Sequence, residues 1–292
     1  MVLDILVRGL ANGSLYALVA VSFNILYRPT NVFNFAQGDL VMLGAMIAAS
    51  LATVQGAPWI VVIPLTLAFV AIVALVTERV AVAPVLNRSA HGHGWIISTL
   101  AVSLIIANSV GFIFGPDPLR LVPPSAIGTS TFVVFGTRVS PYQIFLIALT
   151  PILVVAVERF YRTLEGKAVR AVAEDRDGAL LRGINPKRLS RWSFFLGGAF
   201  AGLVGMLAAP LRYASIDLGP MLLLKGFAAV AIGGVGNNLG ALMAGYILGI
   251  AESAGARALS PGYQEAVTFV LMLVILMIRP VGLLGRPEAR TV

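Results

Sequence analysis

The 292-residue sequence contains no cysteine, only two histidines and few charged residues, since Asp, Glu, Lys and Arg make up 12% of it. That charged fraction is about half of what soluble domains carry. The composition therefore excludes a soluble globular enzyme, a disordered protein and a disulfide-stabilised scaffold. Without cysteine, the chain also has no thiol chemistry.

The sequence also lacks the motifs of nucleotide and metal chemistry. Gly166-Lys167 is followed by Ala168 and lacks the earlier glycine of a phosphate-binding loop. Gly233-Gly234-Val235-Gly236 follows no soluble strand and has no acidic partner about 20 residues later. His91 and His93 are too few for a metal site and are interpreted as part of a polar turn. We therefore expect no cofactor, no metal and no enzyme activity of the chain's own. Energy for transport would come from an ion gradient or from another chain.

What the sequence does contain is long apolar runs, which bring the hydrophobic fraction to 58%. A helix that crosses a membrane needs about 20 mainly apolar residues. Nine runs qualify as candidates, the seventh weakly because Lys225 and several glycines interrupt it. They are 4–27, 35–54, 58–77, 95–114, 141–158, 193–211, 222–235, 239–256 and 263–279. The predicted fold is an all-α, polytopic transmembrane helix bundle of about eight to nine spans, forming a single membrane domain over 1–292.

The net charge of +8 is interpreted as loop charge rather than as a nucleic-acid surface. Basic residues concentrate in the cytoplasmic loops of membrane proteins. Nine spans with the N-terminus outside place 15 Lys and Arg residues inside and 6 outside. If 222–235 dips in without crossing, the counts become 13 and 8. Both arrangements put 158–192 in the cytoplasm and 115–140 outside.

Polar residues inside the spans are candidates for function, because they are costly in lipid. The densest group is Asn34, Gln37 and Asp39 at the start of the second span, with Asn12 and Tyr16 in the first. Asn34 and Gln37 also fit a capping box, and both interpretations stay open.

Three further features of the spans favour structural roles. Glu252 is expected to pair locally near Ser253 and Arg257, and Lys225 to snorkel to the outer interface. Glycine pairs at helical spacing predict close helix packing: Gly9/Gly13, Gly198/Gly202 and Gly245/Gly249.

The cytoplasmic stretch contains one predicted helix, over 168–182. Ala171, Ala179 and Leu180 can share its apolar stripe, while Arg170, Glu174, Asp177 and Arg182 face water. Gly183 suits a C-terminal cap, and Pro186 prevents continuation. Such a helix should dock on a partner, although a solvated loop helix is the alternative.

Several segments together resemble the permease subunit of branched-chain amino acid ABC importers. They are GLANGSLYALVAVSFNILYRPTNVFNFAQGDLVMLGA, AEDRDGALLRGINPKRL, KGFAAVAIGGVGNNLGALMAGYILGIAES and the tail RPVGLLGRPE. The resemblance runs over nearly the whole chain. It implies a multi-pass protein of a prokaryotic inner membrane that imports substrate by alternating access.

The resemblance also implies partners and roles for residues. The partners would be a second, related permease, two cytoplasmic ATP-binding subunits and an extracytoplasmic substrate-binding protein, all around membrane lipid. The cytoplasmic helix would be a coupling helix that docks on an ATPase. The residues assigned to coupling are Arg170, Glu174, Asp175, Leu181, Arg182, Gly183, Ile184 and Asn185. The translocation path would use Asn12, Tyr16, Asn34, Gln37 and Asp39.

Related permeases serve urea, short amides or other amino acids. Urea-type relatives often carry a long N-terminal extension that this sequence does not show, so we expect Leu, Ile and Val. An ion-coupled secondary transporter is the rival class, and it would need carboxylates buried at mid-membrane.

Overall fold

The computed structural model describes residues 2–88, 94–128, 130–134 and 136–285. Within these residues the chain forms twelve α-helices and one short antiparallel hairpin. The helices are α1 (Val2–Thr30), α2 (Gln37–Ala49), α3 (Trp59–Thr77), α4 (Ala83–Arg88), α5 (Gly94–Phe114), α6 (Pro141–Phe160), α7 (Leu164–Glu174), α8 (Arg176–Leu181), α9 (Pro186–Arg212), α10 (Leu218–Gly233), α11 (Asn238–Ala258) and α12 (Gln264–Ile278). Wider, π-helical turns extend α2 over Ser50–Val54 and join α3 to α4 over Glu78–Val82.

Among the described residues, seven helical segments are long and apolar enough to cross a membrane, judged by length and composition. They are Val2–Thr30, Gln37–Val54, Trp59–Val85, Gly94–Phe114, Pro141–Phe160, Pro186–Arg212 and Asn238–Ala258. The apolar helices α10 and α12 have 16 and 15 residues. At 1.5 Å per residue, each is about 23 Å long, less than the roughly 30 Å of a hydrocarbon core. All nine predicted spans are thus helical, and the prediction of an all-α, polytopic fold is confirmed.

The predicted external loop contains the hairpin. Strand β1 (Phe132–Val134) pairs antiparallel with β2 (Thr137–Val139), with Phe132 opposite Val139. The rest of this loop has little regular structure, as its Pro, Gly and Ser content suggests.

The chain divides into two compact units, each made of separate stretches. Unit 1 comprises 1–24, 125–158 and 224–292, which include most of α1, α6 and α10 together with α11 and α12. Unit 2 comprises 25–124 and 159–223, which include α2 to α5 and α7 to α9. Whether the whole chain acts as one domain stays a prediction.

In unit 1, glycines bring α1 and α11 into direct backbone contact. A β-carbon added to Gly9 would lie 2.7 Å from the Cα of Ile250, and one added to Gly13 would lie 2.9 Å from the Cα of Tyr246. Real β-carbons do not approach so closely. The predicted close packing at Gly9/Gly13 and Gly245/Gly249 is therefore confirmed.

In unit 2, α9 is the central helix and packs along α2 and α3. Gly44 of α2 meets Gly202 of α9, where an added β-carbon would lie 2.6 Å from the Gly202 Cα. Gly198 packs on α3, where its β-carbon would lie 3.1 Å from the Cα of Ala71. The third predicted glycine pair, Gly198/Gly202, is also a packing surface.

Candidate functional site

The start of α2 in unit 2 carries three of the predicted path residues, Asn34, Gln37 and Asp39, all buried. Gln37 Nε2 donates to the carbonyl oxygen of Gly197 in α9 over 3.4 Å. Asn34 Nδ2 donates to Gln37 Oε1 at 3.5 Å, and Asn34 Oδ1 accepts from the backbone N–H of Ala36 at 3.1 Å. The two amides therefore connect the lead-in of α2 to the middle of α9.

The capping-box interpretation of this segment is wrong. The helix begins at Gln37, its cap is Ala36, and no side chain caps it. Gln37 is consequently the first helical residue rather than the third. Asn34 instead folds back on the turn before the helix, a local bond that Asn commonly makes.

Asp39 lies in the first turn of α2 and is 2% exposed. The Ser103 side chain of α5 lies near its carboxylate. The Oδ1 atom is buried and has no hydrogen-bond partner within the described residues. A buried oxygen without a donor is costly, so this atom needs a functional or structural reason.

A second buried cluster lies in unit 1 and contains Tyr16, Lys225, Glu252 and Thr268. Lys225 Nζ lies 2.9 Å from Glu252 Oε2 and 3.2 Å from the Tyr16 hydroxyl. That hydroxyl donates to the same Oε2 at 2.7 Å, and the Thr268 hydroxyl donates to Oε1. Four helices, α1, α10, α11 and α12, thus contribute to one ion pair, which we call the Lys225–Glu252 cluster.

This cluster overturns two expectations from the sequence. Lys225 does not snorkel, because it is 5% exposed and paired inside unit 1. Glu252 does not pair locally with Ser253 or Arg257, because its partners come from three other helices. Of the predicted path residues in α1, Tyr16 belongs to the cluster, while Asn12 is half-buried and joins neither polar group.

Sequence reasoning missed a third group, at the turn between α10 and α11. Asn24 Oδ1 accepts from the backbone N–H of Gly236 at 2.9 Å, and Asn24 Nδ2 donates to Asn238 Oδ1 at 3.2 Å. Asn238 Nδ2 in turn donates to Glu158 Oε2 at 3.2 Å. The only signal for this group in the sequence was the pair of amide side chains beside the glycine-rich turn. A hydrogen bond between Asn24 and Asn238, which lie 214 positions apart, cannot be read from sequence.

The segment after α12 closes on the same turn. The backbone N–H groups of Leu283 and Leu284 donate to the carbonyl oxygens of Ile232 and Gly233, at 2.7 and 3.2 Å. Asn237 Nδ2 donates to the Leu284 carbonyl oxygen at 2.9 Å. The glycine-rich turn and the RPVGLLG segment, both singled out in the sequence, are therefore in direct contact.

The predicted cytoplasmic stretch, 158–192, contains two helices, α7 and α8, where one was predicted. The break lies at Asp175, whose side chain accepts from the N–H groups of Asp177 and Gly178 at 3.1 and 2.9 Å. Asp is among the best N-terminal caps, so it favours a new helix over continuation of the old one. Arg170, Glu174, Asp177 and Arg182 are exposed, as predicted.

The end of α8 is a glycine cap. Gly183 has φ +82°, its N–H donates to Leu180 O, and the Ile184 N–H donates to Ala179 O. This pair of bonds is a Schellman motif and confirms the predicted cap. Asn185 then caps α9, accepting from Lys187 and Arg188, and Pro186 starts that helix rather than merely ending the previous one.

The apolar surface of α8 differs from the predicted stripe. Ala179 is buried, but Leu180 is 57% exposed and Leu181 is 90% exposed. Two adjacent leucines on a charged segment are thus available to a partner. His91 and His93, considered above as metal ligands, lie outside the described residues.

Comparison with known proteins agrees with this picture. A family model described as the permease component of branched-chain amino acid transport systems matches residues 5–276. The high-affinity branched-chain amino acid transport system permease protein BraD of Pseudomonas aeruginosa is 32% identical, over 98% of this chain and 97% of its own. The high-affinity branched-chain amino acid transport system permease protein LivH of Escherichia coli K12 is also 32% identical, over 98% of this chain and 96% of its own.

A more distant relative and a second type of permease match as well. A probable branched-chain amino acid permease LivH of Methanocaldococcus jannaschii is 30% identical over 93% of this chain and 89% of its own. The permease protein LivM of Escherichia coli K12 is 26% identical over 65% of this chain. No solved structure matches. The chain is a multi-pass membrane protein and belongs to the branched-chain amino acid transport permease family.

Proposed function

We propose that this chain is the membrane-spanning permease subunit of an ATP-driven importer for leucine, isoleucine and valine. It would pair with a second, related permease and with two cytoplasmic ATP-binding subunits. An extracytoplasmic binding protein would deliver the substrate. The chain itself would hydrolyse no ATP, and substrate would cross between the two permeases by alternating access. Its membership of the family and the names of its relatives support this proposal.

The observation that carries the coupling part of the proposal is a continuous connection inside unit 2. Leu181 is exposed at the end of α8, and α8 passes through the Gly183 cap and Asn185 directly into α9. Twelve residues further along α9, Gly197 accepts the hydrogen bond from Gln37. A displacement of α8 would therefore reach the start of α2, where Asn34, Gln37 and Asp39 lie.

The caps make this connection stiff. The Schellman bonds at Gly183 and the Asn185 cap satisfy backbone groups that would otherwise be free to bend towards water. Near the start of the stretch 158–192, the guanidinium of Arg28 lies 3.9 Å from the centre of the Tyr161 ring, which is a cation–π contact. We assign coupling to Arg170, Glu174, Asp175, Leu181, Arg182, Gly183, Ile184 and Asn185 on this basis.

The test is co-purification of ATPase subunits with the permease from detergent-solubilised membranes. We expect Leu181→Asp to lose the ATPases, because a charge replaces the apolar side chain that enters the partner. Leu164→Asp is the matched control, since Leu164 is also exposed, at 81%, in the same loop but begins α7. Retention of ATPase by Leu181→Asp, or absence of ATPase with the wild type, would contradict the coupling assignment.

Substrate class needs a separate measurement. The complete complex in proteoliposomes, with its binding protein, should take up radiolabelled leucine, isoleucine and valine in an ATP-dependent manner. Uptake of urea or acetamide instead would redirect the proposal to those substrates. Uptake driven by an ion gradient without ATP would replace it with secondary transport.

A further inference from the structure

Three acidic side chains are buried among the described residues, and of these only Asp39 lies in the first turn of an α-helix and faces the start of a second one. Glu252 is neutralised by Lys225 and bonded by two hydroxyl groups. Glu78, in the π-helical turn after α3, accepts a hydrogen bond from Ser190 at 3.0 Å through Oε1, while its Oε2 also lacks a donor among the described residues. Asp39 makes no ion pair within the described ranges, and its Oδ1 has no donor although the residue is 2% exposed. An intramembrane carboxylate in this condition points to function.

The negative charge of Asp39 is stabilised without being neutralised. Asp39 lies in the first turn of α2, and its Oδ1 faces Gly219 in the first turn of α10. Helix N-termini carry partial positive charge and favour a nearby anion. The partial positive charges at the N-termini of α2 and α10 lower the free-energy cost of burying the carboxylate. Neither of them supplies the hydrogen-bond donor that Oδ1 lacks among the described residues.

The backbone of a glycine, Gly219, packs against the Oδ1 atom of Asp39. A β-carbon on Gly219 would lie 2.9 Å from Oδ1, and one on Gly38 would overlap the Gly219 carbonyl oxygen. The starts of α2 and α10 therefore meet closely at Gly38 and Gly219, with the Leu223 side chain also packed against Gly38. A small separation of these two helix ends would expose Oδ1.

We infer that Asp39 binds the ammonium group of the amino acid during its passage, an inference that rests on the function proposed above. An ammonium group supplies both the missing positive charge and up to three N–H donors. The neighbouring α2 and α9 surfaces are mainly small and apolar, which suits an aliphatic side chain. Substrates without an ammonium group, such as urea or simple amides, could donate a hydrogen bond to this carboxylate but would leave its charge unneutralised.

Ser103 provides a local reporter, since its side chain lies near the Asp39 carboxylate and the chain has no native cysteine. Ser103→Cys would be placed in the complete importer, reconstituted with ATP present, and its alkylation rate followed by mass spectrometry. The ligands are leucine, 3-methylbutylamine, which keeps the ammonium group, and 4-methylpentanoate, which lacks it. Sodium chloride is added alone to test an inorganic cation.

We expect leucine and 3-methylbutylamine to slow alkylation and 4-methylpentanoate to leave it unchanged. Adding Asp39→Asn should raise the leucine concentration for half-protection by about tenfold or more, the value of one charge-assisted hydrogen bond. The matched control is Glu78→Gln, which removes another buried carboxylate of unit 2 and should leave the ligand selectivity intact.

Equal protection by leucine and 4-methylpentanoate would overturn the inference, as would full leucine protection in Asp39→Asn. Protection by sodium alone would replace the ammonium group with an inorganic cation and overturn it too. Leucine uptake is measured first on the same vesicles, so that failure of the proposed function is recognised separately. If Ser103→Cys does not assemble, the KM for leucine in Asp39→Asn, expected about tenfold higher, decides the question.

Discussion

Replacing Lys225 alone should destabilise unit 1 far more than replacing Lys225 and Glu252 together with apolar residues. The two side chains are 5% and 2% exposed, and Nζ lies 2.9 Å from Oε2. Lys225→Met leaves the Glu252 carboxylate buried without its cation, although the hydrogen bonds from Tyr16 and Thr268 remain. Breaking one side of a buried pair costs about 3–5 kcal/mol. Because two donors remain, we expect the lower end, about 3 kcal/mol.

The double variant Lys225→Met, Glu252→Leu removes both charges and keeps the volume filled. Such replacements are commonly neutral or stabilising. We therefore expect it to lie within about 1 kcal/mol of the wild type, which gives a coupling energy of about 2 kcal/mol or more between the two positions.

The assay is a double-mutant cycle on unfolding in mixed detergent micelles titrated with dodecyl sulfate, followed by fluorescence of the three tryptophans. The matched control is the ion pair of Asp4 and Arg8 in α1, whose N···O distance is 2.7 Å but whose Arg8 side chain is 63% exposed. Exposed pairs contribute at most about 1 kcal/mol. A coupling energy for Lys225 and Glu252 no larger than that of the control pair would refute the reasoning.

Three further predictions concern backbone geometry. Gly183→Val should cost about 1–2 kcal/mol, because φ is +82° there, and should reduce ATPase co-purification, whereas Gly183→Asn should be tolerated better. Asp175→Ala should speed hydrogen exchange in 176–181 by removing two cap bonds worth about 1 kcal/mol, and Asp175→Asn, which can still cap, should not. Gly205→Ala should lower the yield of monodisperse protein in size-exclusion chromatography, because its β-carbon would overlap the Val41 carbonyl oxygen; Gly262→Ala, whose β-carbon would make only an ordinary van der Waals contact with Ser260, should match the wild type. Unchanged behaviour of the first variant in each set would contradict these assignments.

The fold was predictable to the extent that it depends on local composition. Apolar runs located the nine apolar helices among the twelve, and glycines at four-residue spacing marked the backbone contacts of α1 with α11. Gly183 could be assigned as a cap because left-handed geometry at a helix end strongly favours glycine. These signals are contained within a few neighbouring residues.

The polar contacts were less predictable because they join distant parts of the chain. Lys225 and Glu252 each had a reasonable local explanation, namely snorkelling and pairing at a helix end, and both explanations were wrong. The break between α7 and α8 at Asp175 was also missed. Helix propensity summed over 168–182 favours one continuous helix and does not detect a single strong N-terminal capping residue. The sequence indicated Asp39 as a candidate, but only the structure shows that its Oδ1 lacks a donor in the part of the chain that is described.

The long reach of the Lys225–Glu252 cluster has a consequence for biosynthesis. Tyr16 precedes its partner Glu252 by 236 residues and Lys225 by 209. At 5–20 residues per second, about ten to fifty seconds pass between synthesis of the phenol and of the groups that bind it. During that interval the Tyr16 hydroxyl is without Lys225 and Glu252. The cluster, and with it the contact of α1 with α10, α11 and α12, can therefore form only after the last part of the chain has been synthesised.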